Sequence, residues 1–199
     1  MSNYLDRAQT VLNYLKNQKW VTDEKLIVAG HSQGTKIATK LATVDSSITH
    51  LGLFAPNPMG RIDQYIREAR LNAQLGKITW TEADSIINNQ YDFYRQVQNQ
   101  DSLEANPHLI AWKTFTETYY DDWLSLGIPI YLAYGTEDRT SNLCDIIPIF
   151  FIEKGKDNLT LKRYLGLEHN FYELKENGTA NHEKGHWTEV MAEFIKWIE

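Results

Sequence analysis

Lys25-Leu26-Ile27-Val28-Ala29-Gly30-His31-Ser32-Gln33-Gly34 is the stretch on which the fold turns. Its short apolar run closes on a glycine, which suits a strand buried on both faces of a parallel sheet. Lys36-Ile37-Ala38-Thr39-Lys40-Leu41-Ala42 follows at helical spacing. Ser32 therefore stands at a sharp strand-to-helix turn, inside a Gly-x-Ser-x-Gly pentapeptide. Such a turn holds the serine backbone in strained angles, and glycines on either side let neighbouring backbone pass closely. The helix start points free N–H groups at the serine, where an oxyanion would form, and the N–H of Gln33 is the natural first donor.

Working outward, Leu5, Ala8, Leu12 and Leu15 recur at helical spacing ahead of this run. Ile48 to Ala55 reads as a second buried strand, closed by Pro56-Asn57-Pro58. From about Gly60 to Leu126 the chain is polar and helical in period, with Ile62, Ile66, Ala69 and Ala73 on one face. Three or so helices are expected there. Tyr91, Tyr94, Trp112, Phe115 and Tyr119 are candidate pocket aromatics, with helix packing as the alternative. Strand character returns at Ile130-Tyr131-Leu132-Ala133-Tyr134 and at Leu159 to Tyr164. A helix near Asp145 to Lys154 separates them, with Pro148 fitting only its first turn. The last helix begins near Trp187 and turns Val190, Phe194 and Trp197 inward. Strands alternating with helices imply parallel β-α-β units.

A serine hydroxyl is a weak nucleophile until a base takes its proton. Asp138 follows the third predicted strand, in Tyr134-Gly135-Thr136-Glu137-Asp138, and His169 follows the fourth, in Gly166-Leu167-Glu168-His169-Asn170-Phe171. Ser32, Asp138 and His169 thus all lie just past C-terminal ends of predicted parallel strands, where open α/β sheets place their sites. Glu137 is the competing acid, Asp145 is expected to cap a helix, and the His31 side chain is expected to point away from Ser32. His50 and His108 lie far from any suitable strand end. His182-Glu183-Lys184-Gly185-His186 spells H-E-x-x-H, a zinc-protease pattern when it lies on a helix. Gly185 interrupts it and Asn177-Gly178 precedes it, so a polar loop is expected, with no metal and no cofactor.

The 199 residues, 42% of them hydrophobic, suffice for one ordinary core. A net charge of -6 is a poor match for phosphate backbones, which argues against nucleic-acid partners. Cys144 is the single cysteine and is expected to be a small buried hydrophobe. No apolar run approaches a membrane span, and the expected location is cytoplasmic if Met1 is the true start.

The sequence resembles the C-terminal part of the α/β-hydrolase superfamily, especially bacterial serine hydrolases carrying a helical cap. The matching pieces are Val28 to Gly34, Ala133 to Asp138 and Gly166 to Phe171. The resemblance implies a truncated α/β-hydrolase fold of about four parallel strands, with residues 1–56 and 128–199 as core and 57–127 as cap. It also implies a catalytic triad of Ser32, Asp138 and His169, acting on a small acyl or ester substrate. A peptidase of the same fold is one alternative, and an idle remnant or interaction module another. Family members carry further strands before the elbow strand, together with the loop that supplies the second oxyanion donor, so a slow enzyme is expected. The strand Leu26–Ala29 is then an exposed sheet edge, and a homodimer through that edge is expected unless the N-terminal helix covers it.

Overall fold

The computed structural model describes residues 2–21 and 24–199, so Met1, on which the expected location rested, lies outside the described residues. In chain order the elements are α1 (Ser2–Lys16), β1 (Ile27–His31), α2 (Gln33–Val44), β2 (His50–Phe54), α3 (Arg61–Gln74), α4 (Trp80–Gln98), α5 (Gln100–Ala105), α6 (His108–Thr116) and α7 (Tyr120–Ser125). Then come β3 (Ile130–Gly135), a 3-10 turn (Asn142–Ile146), α8 (Ile147–Glu153), β4 (Leu159–Tyr164), β5 (Tyr172–Leu174), β6 (Ala180–Gly185) and α9 (Trp187–Ile198).

Strands β1 to β4 form one parallel sheet in the order β1-β2-β3-β4, with Val28 opposite Leu51 and Leu53 opposite Leu132. The period-two alternation of side chains sorts β2 and β3 between two cores. Leu51, Leu53, Ile130, Leu132 and Tyr134 pack with Leu12 of α1, Leu41 of α2, Trp123 of α7 and Phe151 of α8. Phe54, Tyr131 and Ala133 face the other way, against Val190 and Phe194 of α9 and against Phe171. Every residue of β3 is buried, as expected of a strand covered on both faces. Gly52 makes room for this packing, since a Cβ there would lie 2.7 Å from the Phe194 ring. Trp123 donates its indole N–H to Thr39 at 2.8 Å, and Thr39 passes its own hydrogen to the Thr35 carbonyl, so a buried polar pair joins α7 to α2. Cys144 is buried, its thiol 3.5 Å from the Pro56 carbonyl.

The chain divides into two compact units, 1–58 with 119–199, and 59–118. The second holds four helices among its described residues, α3 to α6. Thr79 starts α4 with a capping box, exchanging hydrogen bonds with Glu82. Trp112 packs edge-on against Phe93 and also meets Tyr65 and Phe115, so this aromatic is packing within the helical unit. Tyr91 and Tyr94 are exposed, whereas Tyr119 is buried in the first unit beneath the Lys36 ammonium.

Four sequence expectations change. β1, expected to be buried on both faces, is only partly buried and leaves Ala29 exposed. The region of His182 to His186 is not a loop: β5 and β6 form an antiparallel hairpin, closed at Lys175 to Thr179 around Gly178 at φ 77°. Asp145 lies inside the 3-10 turn and pairs with Arg163 instead of capping a helix. Gly34 has open space where a Cβ would stand, so of the two elbow glycines only Gly30 is required by crowding. Among the described residues no helix is long and apolar enough to cross a membrane.

Candidate active site

The site is built on the C-terminal ends of β1, β3 and β4. At the end of β1, Ser32 takes φ 53° and ψ -119°, a conformation that costs a non-glycine residue on the order of 1–3 kcal/mol. The surroundings hold it there. Its N–H donates to the Phe54 carbonyl at 2.9 Å, and its carbonyl accepts from the Thr35 hydroxyl at 2.6 Å. Gly30 is indispensable to the turn, because a Cβ would fall 2.2 Å from the Gly34 carbonyl oxygen. α2 starts at Gln33, so the first free N–H groups of that helix lie directly after the serine.

Past β3, the backbone N–H of Asp138 turns back to Gly135 at 3.0 Å, and the side chain is buried at 2% exposure. One carboxylate oxygen accepts from the Thr140 backbone N–H at 2.8 Å and from its hydroxyl at 2.7 Å. The other lies 2.7 Å from Nδ1 of His169. Burial pushes the Asp138 carboxyl up, but the hydrogen bond and charge of His169, with help from Thr140, outweigh it and hold the group below its ordinary value. Glu137, the competing acid, is exposed.

The loop after β4 carries His169. Gly166 turns it at φ 74°, and Gly166 N–H donates to the Thr136 hydroxyl at 2.9 Å. Glu137 N–H donates to the Leu167 carbonyl at 2.9 Å, and the Glu168 carboxylate accepts from the backbone N–H of Asn170 at 2.8 Å. His169 Nε2 ends 2.8 Å from Ser32 Oγ. A carboxylate only accepts, so Nδ1 carries the hydrogen and Nε2 offers its lone pair to the serine hydroxyl. Thr140, having given its hydrogen to Asp138, also lies 3.1 Å from Nδ1 as a second acceptor. The structure thus brings Ser32, His169 and Asp138 into one hydrogen-bonded row, with the Gln33 backbone next to the serine.

Two residues of this site escape a reading by strand ends alone. Thr140 had a signal, since Asp-x-Thr is an Asx-type turn in which the carboxylate bonds the backbone two residues on. His31 had none beyond its place beside Ser32. Its imidazole lies against the rings of His169, Trp187 and Phe171, with Nε2 2.9 Å from the His169 carbonyl oxygen.

The H-E-x-x-H residues lie elsewhere. His182 to Gly185 run along β6, where alternate residues face opposite ways and no helical i, i+4 pair forms. His186 precedes α9 and meets Glu173 at 3.3 Å, and among the described residues no group of three or more metal-ligating side chains is gathered.

Comparison with solved structures adds a parallel to the fold. The chain is similar to an alpha/beta hydrolase enzyme from the sediment metagenome of the Mar Chica lagoon, Morocco, at TM-score 0.52 and 11% identity over 98% of this chain and 69% of that one. The chain has the α/β-hydrolase fold. It is similar in the same way to a puromycin-hydrolyzing peptidase of Mycobacterium tuberculosis, at TM-score 0.51 and 12% identity, covering 83% of this chain and 22% of that one. Acetyl xylan esterase 1 from Thermoanaerobacterium gives TM-score 0.50 and 13% identity, over 83% of this chain and 46% of that one. At these identities the likeness is one of fold. No protein-family model and no curated protein matches the chain. Among the described residues, four parallel strands with helices on both faces are the part of the α/β-hydrolase fold present.

Two measurements probe how the fold holds this site. A Cβ on Gly135 would lie 2.1 Å from the Leu167 carbonyl oxygen, in the loop that carries His169. Gly135→Ala is expected to lower stability by about 1–3 kcal/mol, the usual cost of overpacking, in urea unfolding. Gly127→Ala, with open space at its Cβ, is the control and is expected to change little. The second concerns acid. The carboxyl of Asp138 is held below its unfolded value, so its stabilisation is complete above about pH 3.9 and disappears as pH falls through the lowered folded value. Asp138→Asn is therefore expected to be less stable than the parent at pH 7, with the gap in urea midpoints narrowing on acidification below about pH 3.9. An equal gap at both pH values would contradict the depressed carboxyl.

Proposed function

We propose that the chain is a serine hydrolase acting on carboxylic esters, and the observation that carries the reading is the hydrogen-bonded row Asp138–His169–Ser32 set on a strained strand-to-helix turn. In this reading Ser32 Oγ attacks the acyl carbon while His169 Nε2 takes the hydroxyl proton. Asp138 holds the Nδ1–H tautomer and stabilises the imidazolium. The tetrahedral intermediate collapses as His169 hands the proton to the leaving alkoxide, leaving an acyl-Ser32 ester. Water, deprotonated by His169, then releases the acid and restores the serine. Gln33 supplies one oxyanion N–H from the start of α2. Loss of one such donor costs roughly 2.7–4 kcal/mol elsewhere, so with Gln33 alone turnover would be slow.

The test is covalent. A fluorophosphonate reagent is expected to label one site, and mass spectrometry of the digest places the adduct on the Ser32 peptide. An intact protein unlabelled at neutral pH would overturn the reading and favour the idle remnant. A panel of p-nitrophenyl esters against aminoacyl p-nitroanilides separates the esterase reading from the peptidase one.

We further propose that two copies pair through β1. This strand hydrogen-bonds only β2 among the described residues, contains no proline, and leaves Ala29 exposed. Unpaired apolar edges recruit another strand. Light scattering of dilute protein is expected to give twice the chain mass, and Ala29→Pro to abolish it, because the Ala29 N–H points away from β2 to the open edge. A monomer whose β1 amides resist hydrogen exchange would refute the pairing.

A further inference from the structure

We infer that His31 is a positioning residue for the base, fixing the backbone of His169 over the elbow through one hydrogen bond; the inference rests on the serine-hydrolase reading above. The carbonyl of His169 can only accept, so Nε2 of His31 carries the hydrogen across the 2.9 Å contact. Two other backbone ties of the loop run the opposite way, toward the end of β3: Gly166 to Thr136, and Glu137 to Leu167. Between Gly30–Thr35 and Leu165–Phe171 there are two hydrogen bonds among the described residues, His31 to the His169 carbonyl and the His169 ring to Ser32 Oγ. The second must break and re-form during acyl transfer, because the proton it carries moves to the leaving group. The first is the tie that remains throughout that step.

The surroundings of His31 suit a fixed strut. Its ring stands edge-on to Trp187 at 5.2 Å between centroids and near Phe171 at 6.4 Å, which limits its rotation. Phe171 itself is fully buried at φ 59°, so the chain leaving His169 is locked as well. The His31 and His169 ring centroids are 5.1 Å apart, a separation at which two imidazolium ions would repel. Burial pushes His31 below the ordinary histidine range, although its bond to the His169 carbonyl pulls the other way, so His31 resists charging beside the base. A reacting pair displaced by about 1 Å loses on the order of 10²-fold in rate, which sets the size of effect a lost strut can have.

The test uses two side chains of similar length and shape, one with a donor and one without. His31→Gln keeps an N–H able to reach the carbonyl, and His31→Met does not. Each is compared with the parent for the rate of fluorophosphonate labelling at Ser32, for kcat and KM on a p-nitrophenyl ester, and for thermal unfolding. The expected result is a kcat and labelling rate about 10- to 100-fold lower in His31→Met at unchanged KM, with most of the loss recovered in His31→Gln. His31→Phe, which keeps the ring packing but not the donor, is expected to behave like His31→Met even if the Met variant folds poorly. Parent-like rates in His31→Met or His31→Phe would overturn the inference while leaving the serine-hydrolase reading intact. So would equal losses in the Gln and Met variants, because the bond would then not be what matters. A parent protein that fluorophosphonate does not label would remove the serine-hydrolase reading itself, and this inference with it.

Discussion

Ser32→Ala is expected to abolish fluorophosphonate labelling and to lower ester turnover to the level left by binding and the oxyanion N–H alone. Where such a serine and histidine act as one unit, removing either costs up to about 10⁶-fold in kcat. The ceiling here is lower in proportion to how slow the parent is, since the proposed mechanism has one oxyanion donor, the Gln33 N–H. The expected signature is therefore non-additivity. Ser32→Ala, His169→Ala and the double variant should fall to the same residual rate, because each leaves the same incomplete machine. Initial rates on an activated ester, normalised to folded protein by circular dichroism, make the comparison. Rates that multiply in the double variant would mean that the two residues act independently and that the 2.8 Å contact between them is incidental. Parent-like turnover in Ser32→Ala would place the nucleophile elsewhere altogether.

The parts of this molecule that a sequence discloses are those where the physics is local. Ile130 to Tyr134 is apolar without alternation because both faces of the sheet are covered there, and β3 is wholly buried, whereas Leu26 to Gly30 carries the same pattern on the edge strand β1, which is only partly buried. The end of each strand fixes where the next residues stand, which is why strand ends alone point to Ser32, Asp138 and His169. The hairpin β5–β6 was hidden by its composition. Ala180 to Gly185 is polar and mostly exposed, and Tyr172 to Leu174 is too short to show a period. Asn177-Gly178 was the one available sign, since that pair is a strong hairpin turn signal.

His31 and Gly34 mark a different boundary. The role of His31 depends on a loop 138 residues later in the chain passing within hydrogen-bonding distance, which no local pattern encodes. Gly34 matches the pentapeptide as well as Gly30 does, yet only Gly30 is crowded by neighbouring backbone. A motif records residue types and not which of them the geometry requires. The distinction has a consequence for substitution. Alanine at Gly34 meets nothing within 4 Å among the described residues, whereas at Gly30 it would collide with the backbone that begins α2.

Asp138→Asn carries the second large effect. The row of hydrogen bonds depends on a group that only accepts at the His169 Nδ1 position. An asparagine there can present its NH₂, and the imidazole then does best with Nδ1 as acceptor and the hydrogen on Nε2, the tautomer that cannot take the Ser32 proton. In enzymes with this arrangement the exchange lowers kcat by about 10⁴-fold without moving the backbone. The same order of loss is expected here in kcat for an activated ester, with KM little changed, since Asp138 is buried and its side chain meets Thr140 and His169. Thr140 refines the expectation. Its backbone N–H and hydroxyl both donate to one Asp138 oxygen, so the amide oxygen of the introduced asparagine has two donors waiting for it and the NH₂ is directed at His169. The wrong orientation is therefore the favoured one. Glu137→Gln, one residue earlier and exposed, is expected to keep parent-like kcat. The reverse pattern, with Asp138→Asn active and Glu137→Gln impaired, would transfer the acid to Glu137 and require the loop after β3 to rearrange during turnover.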